Sequence, residues 1–261
     1  MIGIFDSGVG GMTVARAVET LLPALQIIYY GDLARTPYGS KSPETIIEYS
    51  INNTEFLLHH GAQAIIIACN SASSVASEIL RQKFDIPIFE VISPAVDRAI
   101  ATTHSGNIGV IGTRATIRSK IYDQKIKQKA PELRVFSKAC PLLVPLVEEG
   151  WTDARETKMI LRKYLTPLKQ KQIDTLVLGC THYPLLKNLI QHRVGKNRTR
   201  LIDSSIEVAL TLQTYLNENP EFCRTLQYGN ANNYFVSDIT KTAIITAEKI
   251  FGRRIDLKKV I

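Results

Sequence analysis

Ile2-Gly3-Ile4-Phe5-Asp6-Ser7-Gly8-Val9-Gly10-Gly11 is the stretch from which the fold can be read. A short, unbroken apolar run ends in an acid and a hydroxyl, and a glycine-rich turn follows. Met12–Leu22 then has the composition of a helix that stops before Pro23. A strand, a tight turn and a helix in that order open a βαβ unit. Glycines in such a turn permit positive φ and let backbone N–H groups approach a ligand. The loop lacks the Lys-Ser/Thr of a phosphate loop and departs from the GxGxxG dinucleotide pattern, so a plain tight connection explains it equally well. Asp6 and Ser7 nevertheless stand beyond the carboxyl end of the strand, where open parallel sheets bind their ligands.

Outward from this unit the same grammar continues. Gln26–Tyr30, the isoleucine-rich Ala64–Ala68 and Ile86–Val91 read as extended, with helical patterns over Pro43–His60 and Ser73–Phe84. Asn107–Ile111 is the next strand, followed by the turn Gly112–Thr116 and a helix over Ile117–Lys129. Glu156–Leu168 is helical, Thr175–Leu178 extended, Lys187–His192 helical, Leu201–Ile202 extended and Ser205–Leu216 helical. Continuous apolar strands separated by helices predict a buried parallel sheet of the α/β class.

The pattern also repeats. Asp6 and Thr113 each follow a strand, and Cys69 and Cys180 each follow another, at nearly the same offset. Each of these cysteines is followed by a hydrogen-bonding pair, Asn70-Ser71 and Thr181-His182. Two similar α/β lobes, related by an old duplication, account for this. If the lobes face each other, two thiols approach one ligand from opposite sides. That geometry suits removal of a proton from one face of a carbon and return of a proton to the other. The N-terminus of a helix favours a thiolate, and His182 can poise its neighbour Cys180. A lone cysteine after a buried strand is most often a small core residue, and Cys140 and Cys223 are read that way. Glu148 and Glu149 follow the apolar run Pro141–Val147, where an acid is open to desolvation or ends a solvated helix. Tyr38-Gly39, after Thr36-Pro37, reads as a turn.

Composition narrows the classes. The 261 residues are 45% hydrophobic and 21% charged, too apolar for a disordered chain. The formal net charge is +8, but the basic residues are dispersed, and nucleic acid is not the expected partner. No apolar stretch approaches the ~20 residues of a membrane span, and the N-terminus lacks the features of a signal peptide. A cytoplasmic protein with reduced thiols is expected.

The segments Ile4–Gly11, Tyr30-Gly31-Asp32, Pro37-Tyr38-Gly39, Ala68–Ser73, Gly112–Thr116, Val144–Glu148 and Gly179–Leu185 together resemble, in order, the motifs of bacterial glutamate racemases within the aspartate/glutamate racemase superfamily. The resemblance implies two parallel-sheet α/β lobes related by pseudo-symmetry with the active site between them. It implies a discontinuous first lobe, 1–93 plus 206–261, and a second lobe, 94–205. It implies cofactor-independent, metal-free interconversion of L- and D-glutamate that supplies peptidoglycan synthesis, and a homodimer. By the same resemblance Cys69 is the base acting on D-glutamate and Cys180 the base acting on L-glutamate. Asp6 assists on the Cys69 side, and Glu148 and His182 on the Cys180 side. Asp6, Ser7, Tyr38, Gly39, Asn70, Ser71, Thr181 and His182 hold the substrate, and Thr113 and Thr116 its distal carboxylate. Position 71 is usually threonine in that family, and the serine here keeps the hydroxyl. The first motif begins at Ile2, without the extension of the nucleotide-activated members, so such activation is not expected.

Two other readings remain open on the sequence. One is an amino-acid racemase of the same superfamily with another substrate, such as aspartate. The other is a two-lobed amino-acid binding protein with no chemistry.

Overall fold

Burial on both faces is what turns the isoleucine-rich runs into central strands. The computed structural model describes residues 1–229 and 231–260. In chain order its first half contains β1 (Ile2–Asp6), α1 (Met12–Leu21), β2 (Ile27–Gly31), α2 (Pro43–His59), β3 (Ala64–Ile67), α3 (Asn70–Lys83), β4 (Ile88–Glu90) and α4 (Ile92–Thr102). There follow β5 (Asn107–Gly112), α5 (Arg114–Arg118), α6 (Ile121–Lys129), β6 (Arg134–Ala139), α7 (Leu143–Glu148), α8 (Arg155–Gln170), β7 (Thr175–Gly179), α9 (Lys187–Val194) and β8 (Arg200–Asp203). The chain continues through α10 (Ser204–Glu218), α11 (Pro220–Thr225), β9 (Asn233–Val236), α12 (Lys241–Phe251) and β10 (Leu257–Lys259).

The strands form two parallel sheets, as the alternation of apolar runs and helices predicts. One has the order β10-β9-β2-β1-β3-β4 and the other β6-β5-β7-β8. The segment β2-β1-β3-β4 of the first matches the whole of the second, strand for strand, so β1 corresponds to β5 and β3 to β7. Side chains alternate across the first sheet. Ile4, Tyr29 and Ile66 face one core, while Phe5, Ile28 and Ile67 face another under α2 and α3. The first of these cores does not stop at its own sheet. It continues through α4 and α10 to Ile108, Val110, Val177 and Ile202 of the second sheet. The far face of the second sheet packs Ile111, Leu176 and Leu178 against α7, α8 and α9.

Three departures from the sequence reading have physical causes. The helix read as Ile117–Lys129 is two helices, broken where Lys120 adopts left-handed backbone with φ of 57°. The preceding Gly112–Thr116 is not only a turn, because Thr113 caps α5 by accepting the N–H of Thr116. The helix after Cys69 begins at Asn70 rather than Ser73. Unread elements carried weak local signals. β6 is an edge strand with no fully buried residue, and α4 contains Pro94 in its first turn, where the missing N–H costs little.

Ile66 is fully buried on β3, between β1 and β4. Ile66→Ala is expected to lower unfolding free energy by about 2–5 kcal/mol. Ile245→Ala, at a 53%-exposed position, should change it by less than about 0.5 kcal/mol. Denaturant titration followed by circular dichroism compares the two.

Candidate active site

Parallel strands deliver their carboxyl ends to one edge, and here the two sheets present those edges to each other. β1 ends at Asp6, β3 runs into Cys69, β5 into Thr113 and β7 into Cys180. Ser7, Tyr38, Gly39, Cys69, Asn70, Ser71, Thr113, Cys180, Thr181 and His182 line a single cavity together with Thr36, Pro37 and Val144. Asp6, Glu148 and Thr116 stand behind that lining. The enclosed volume is about 20 Å³, room for roughly one water molecule.

On one side, Cys69 is the last residue before α3 and is 5% exposed. Its Sγ lies 3.7 Å from Ser7 Oγ, to which it donates. Burial and the Asp6 carboxyl push its pKa up to about 12, although the Ala72 N–H works the other way. The helix N-terminus therefore does not make this cysteine a thiolate, because desolvation outweighs it. Asp6 is fully buried. It accepts the Gly8 N–H at 2.9 Å and the Thr181 hydroxyl at 3.2 Å. Desolvation raises its pKa to about 6 against these hydrogen bonds and the His182 charge.

On the other side, Cys180 Sγ is 4.0 Å from His182 Nδ1, and His182 Nε2 is 3.2 Å from Glu148 Oε1. The histidine is 3% exposed. Burial opposes its charge, but the Cys180 sulfur and the Glu148 carboxylate outweigh burial and raise its pKa to about 10. The ring is thus an imidazolium at neutral pH. Nε2 makes no well-aligned hydrogen bond, so the Glu148 contact is an ion pair held by charge. Glu148 keeps 31% of its side chain exposed, as a residue at a helix end does.

Hydroxyl contacts tie the two edges together. Ser71 Oγ is 2.8 Å from Thr113 Oγ1 and 3.4 Å from Thr116 Oγ1. Thr13 donates to the Thr181 carbonyl at 3.2 Å. Two glycines permit this closeness. A Cβ at Gly10 would lie 2.4 Å from His182 Nδ1, and one at Gly39 would lie 2.6 Å from Thr113 Cβ.

Sequence reasoning missed several residues. Thr36 faces the cavity, and its Oγ1 is buried without a hydrogen-bond partner. Behind Tyr38, itself an expected site residue, stand Asp32, to which it donates, and Asn53, whose Nδ2 donates to it at 3.0 Å. Tyr122 reaches Asn70 from α6. The Thr36-Pro37-Tyr38-Gly39 string is a signal for Thr36, whereas nothing local marks Tyr122. Cys140 lies in the core of the second sheet and Cys223 on α11, both away from the cavity. All four cysteines are free thiols.

Two thiols from equivalent strands thus meet one nearly closed, polar cavity. The Asp/Glu/Hydantoin racemase model matches residues 11–210. A glutamate racemase of Geobacter metallireducens is 46% identical over 254 residues, covering 97% of this chain and 93% of that protein. The crystal structure of glutamate racemase RacE1 from Bacillus anthracis superposes with a TM-score of 0.93 at 36% identity, covering 100% of this chain and 97% of that one. The Francisella tularensis glutamate racemase in complex with D-glutamate gives 0.91 at 35% identity, with the same coverage. By sequence, by architecture and by the full span of the match, the chain belongs to the Asp/Glu/Hydantoin racemase family, among its glutamate racemases, which are isomerases.

Proposed function

We propose that the chain interconverts L- and D-glutamate by a two-base proton transfer in which Cys69 and Cys180 face opposite sides of the α-carbon. The observation that carries this reading is the pairing of the two thiols, on equivalent strands, across one narrow cavity. In the L to D direction the Cys180 thiolate takes the α-proton, and the Cys69 thiol gives its own proton to the opposite face. In the reverse direction the roles exchange. The raised pKa of Cys69, which holds its proton, and the raised pKa of His182 beside Cys180 support these roles. Asp6 serves the Cys69 side, and the His182–Glu148 ion pair serves the Cys180 side.

The α-proton of an amino acid is very weakly acidic, so the planar carbanion needs stabilisation by fixed donors in a dry site. Asn70, Ser71, Thr181 and the Thr113 hydroxyl, the last backed by Thr116, would hold the carboxylates. Ser7, Tyr38 and Gly39 complete the wall. Glutamate does not fit a volume of about 20 Å³, so the sheet edges must part to admit it and close again around it. D-glutamate so formed would feed peptidoglycan synthesis, and cytoplasmic location and a homodimer belong to the same reading.

Circular dichroism of L-glutamate mixed with the protein, without added cofactor, is expected to decay to zero, while L-aspartate in parallel should not. Cys69→Ser and Cys180→Ser should each reduce racemisation by at least about a thousandfold, whereas Cys140→Ser and Cys223→Ser should stay within about twofold of wild type. Equal loss from Cys140→Ser in a folded protein would sink the assignment.

The pKa of Asp6 sets a second expectation. Its carboxylate takes up a proton as the pH falls through about 6, so kcat/KM with D-glutamate should decline on the acid side of that value. Asp6→Asn should lower the rate and flatten this limb. A limb that persists unchanged in the variant would assign the titration to another group.

A further inference from the structure

Tyr122 lies on the first turn of α6, in the connection between β5 and β6, and is 1% exposed. Asn70 opens α3, on the opposite sheet, and is 2% exposed. The Tyr122 phenol donates to Asn70 Oδ1 at 2.7 Å, a hydrogen bond that crosses the cleft. Asn70 also lines the cavity, and its Nδ2 has no hydrogen-bond partner among the described residues. A buried amide nitrogen left unpaired is rare and points to a ligand.

The two ends of an asparagine amide differ only in what they can bind, and their partners decide which way they point. Burial pushes the pKa of Tyr122 well above the ordinary tyrosine value, so its proton stays in place. That proton needs an acceptor, and Asn70 Oδ1 is the one within reach. With Oδ1 occupied, the amide NH₂ is directed at the cavity. A flipped amide would aim an oxygen at a carboxylate and leave the phenol proton against NH₂.

We propose that Tyr122 is a positioning residue for this reaction: by holding Asn70 Oδ1 it keeps the amide NH₂ aimed at a carboxylate of the bound amino acid, and it does so only while the two sheet edges are closed on each other. In the open form Asn70 loses its anchor and the amide is free to turn. Closure then completes the carboxylate site as well as excluding water. This rests on the reading that Asn70 touches substrate, so the experiment separates the two.

Steady-state racemisation of both glutamate enantiomers would be measured for Asn70→Ala, Tyr122→Phe and the double variant. Asn70→Ala should raise KM. Tyr122→Phe, which keeps the ring, should raise KM about tenfold for both enantiomers and change kcat by less than about threefold, the loss expected for one misdirected hydrogen bond to a charged group. The double variant should be no worse than Asn70→Ala. If Asn70→Ala raises KM and folded Tyr122→Phe leaves it unchanged, the positioning role alone is overturned. If Asn70→Ala leaves KM unchanged, Asn70 does not touch substrate and both ideas fall. Asn70→Asp keeps an acceptor for the Tyr122 phenol and does not depend on the phenylalanine variant folding. It sets a negative charge beside the substrate carboxylate and should bind more weakly than Asn70→Ala. Equal KM for the two would mean that residue 70 does not face a carboxylate, and the positioning role would fall with that contact.

Discussion

Charge removed from water must be neutralised or matched, and every part of the cleft answers to that constraint. Cys69, Asp6, Cys180 and His182 are all within a few per cent of full burial. A buried thiolate or carboxylate without a partner would take up a proton. The site therefore sets groups beside one another: a thiol against a hydroxyl, a carboxyl under backbone N–H groups and a threonine, and an imidazolium between a sulfur and a carboxylate. Parallel sheets are the scaffold for such an arrangement, because they send many strand ends to one edge with free backbone donors.

The two sides of the cleft solve the same problem differently. At Cys69 desolvation dominates and the proton is retained. At Cys180 the ion pair of His182 with Glu148 imports a positive charge. The two sheets therefore supply equivalent positions, and the flanking residues make them chemically unequal. The inequality would serve the proposed reaction, which needs one acid and one base at any moment and exchanges them after each turnover.

Much of this was legible in the sequence. Glycine-rich turns, β-branched runs and cysteines at strand ends are local signals, and each carries its own physical meaning. Cys69 and Cys180 are legible as strand ends in a repeat, and Asn70, Ser71, Thr181 and His182 through the motifs that follow them. What stayed hidden depends on contacts distant in the chain. Tyr122 is one aromatic residue on a helix of otherwise basic character, and only the facing of the two sheets gives it a partner. Asp32 and Asn53 act on Tyr38 from behind it. The strands β9 and β10 are short, and β10 pairs only through its backbone with β9, so no apolar run announced it. The protonation state of Cys69 also escaped, since a helix N-terminus is visible in a sequence and depth of burial is not.

The return of β9 to pair with β2 bears on how the chain is made. The second sheet is assembled from residues 107–203, contiguous in sequence, whereas the first waits for residues 233–259. On a ribosome, β2 would emerge early and keep an open edge until almost the whole chain has been synthesised. Such an edge invites pairing with neighbouring chains. The parts made first are therefore sheltered last, and the window for misassembly during translation spans just over two hundred residues of synthesis, from β2 at Ile27–Gly31 to β9 at Asn233–Val236.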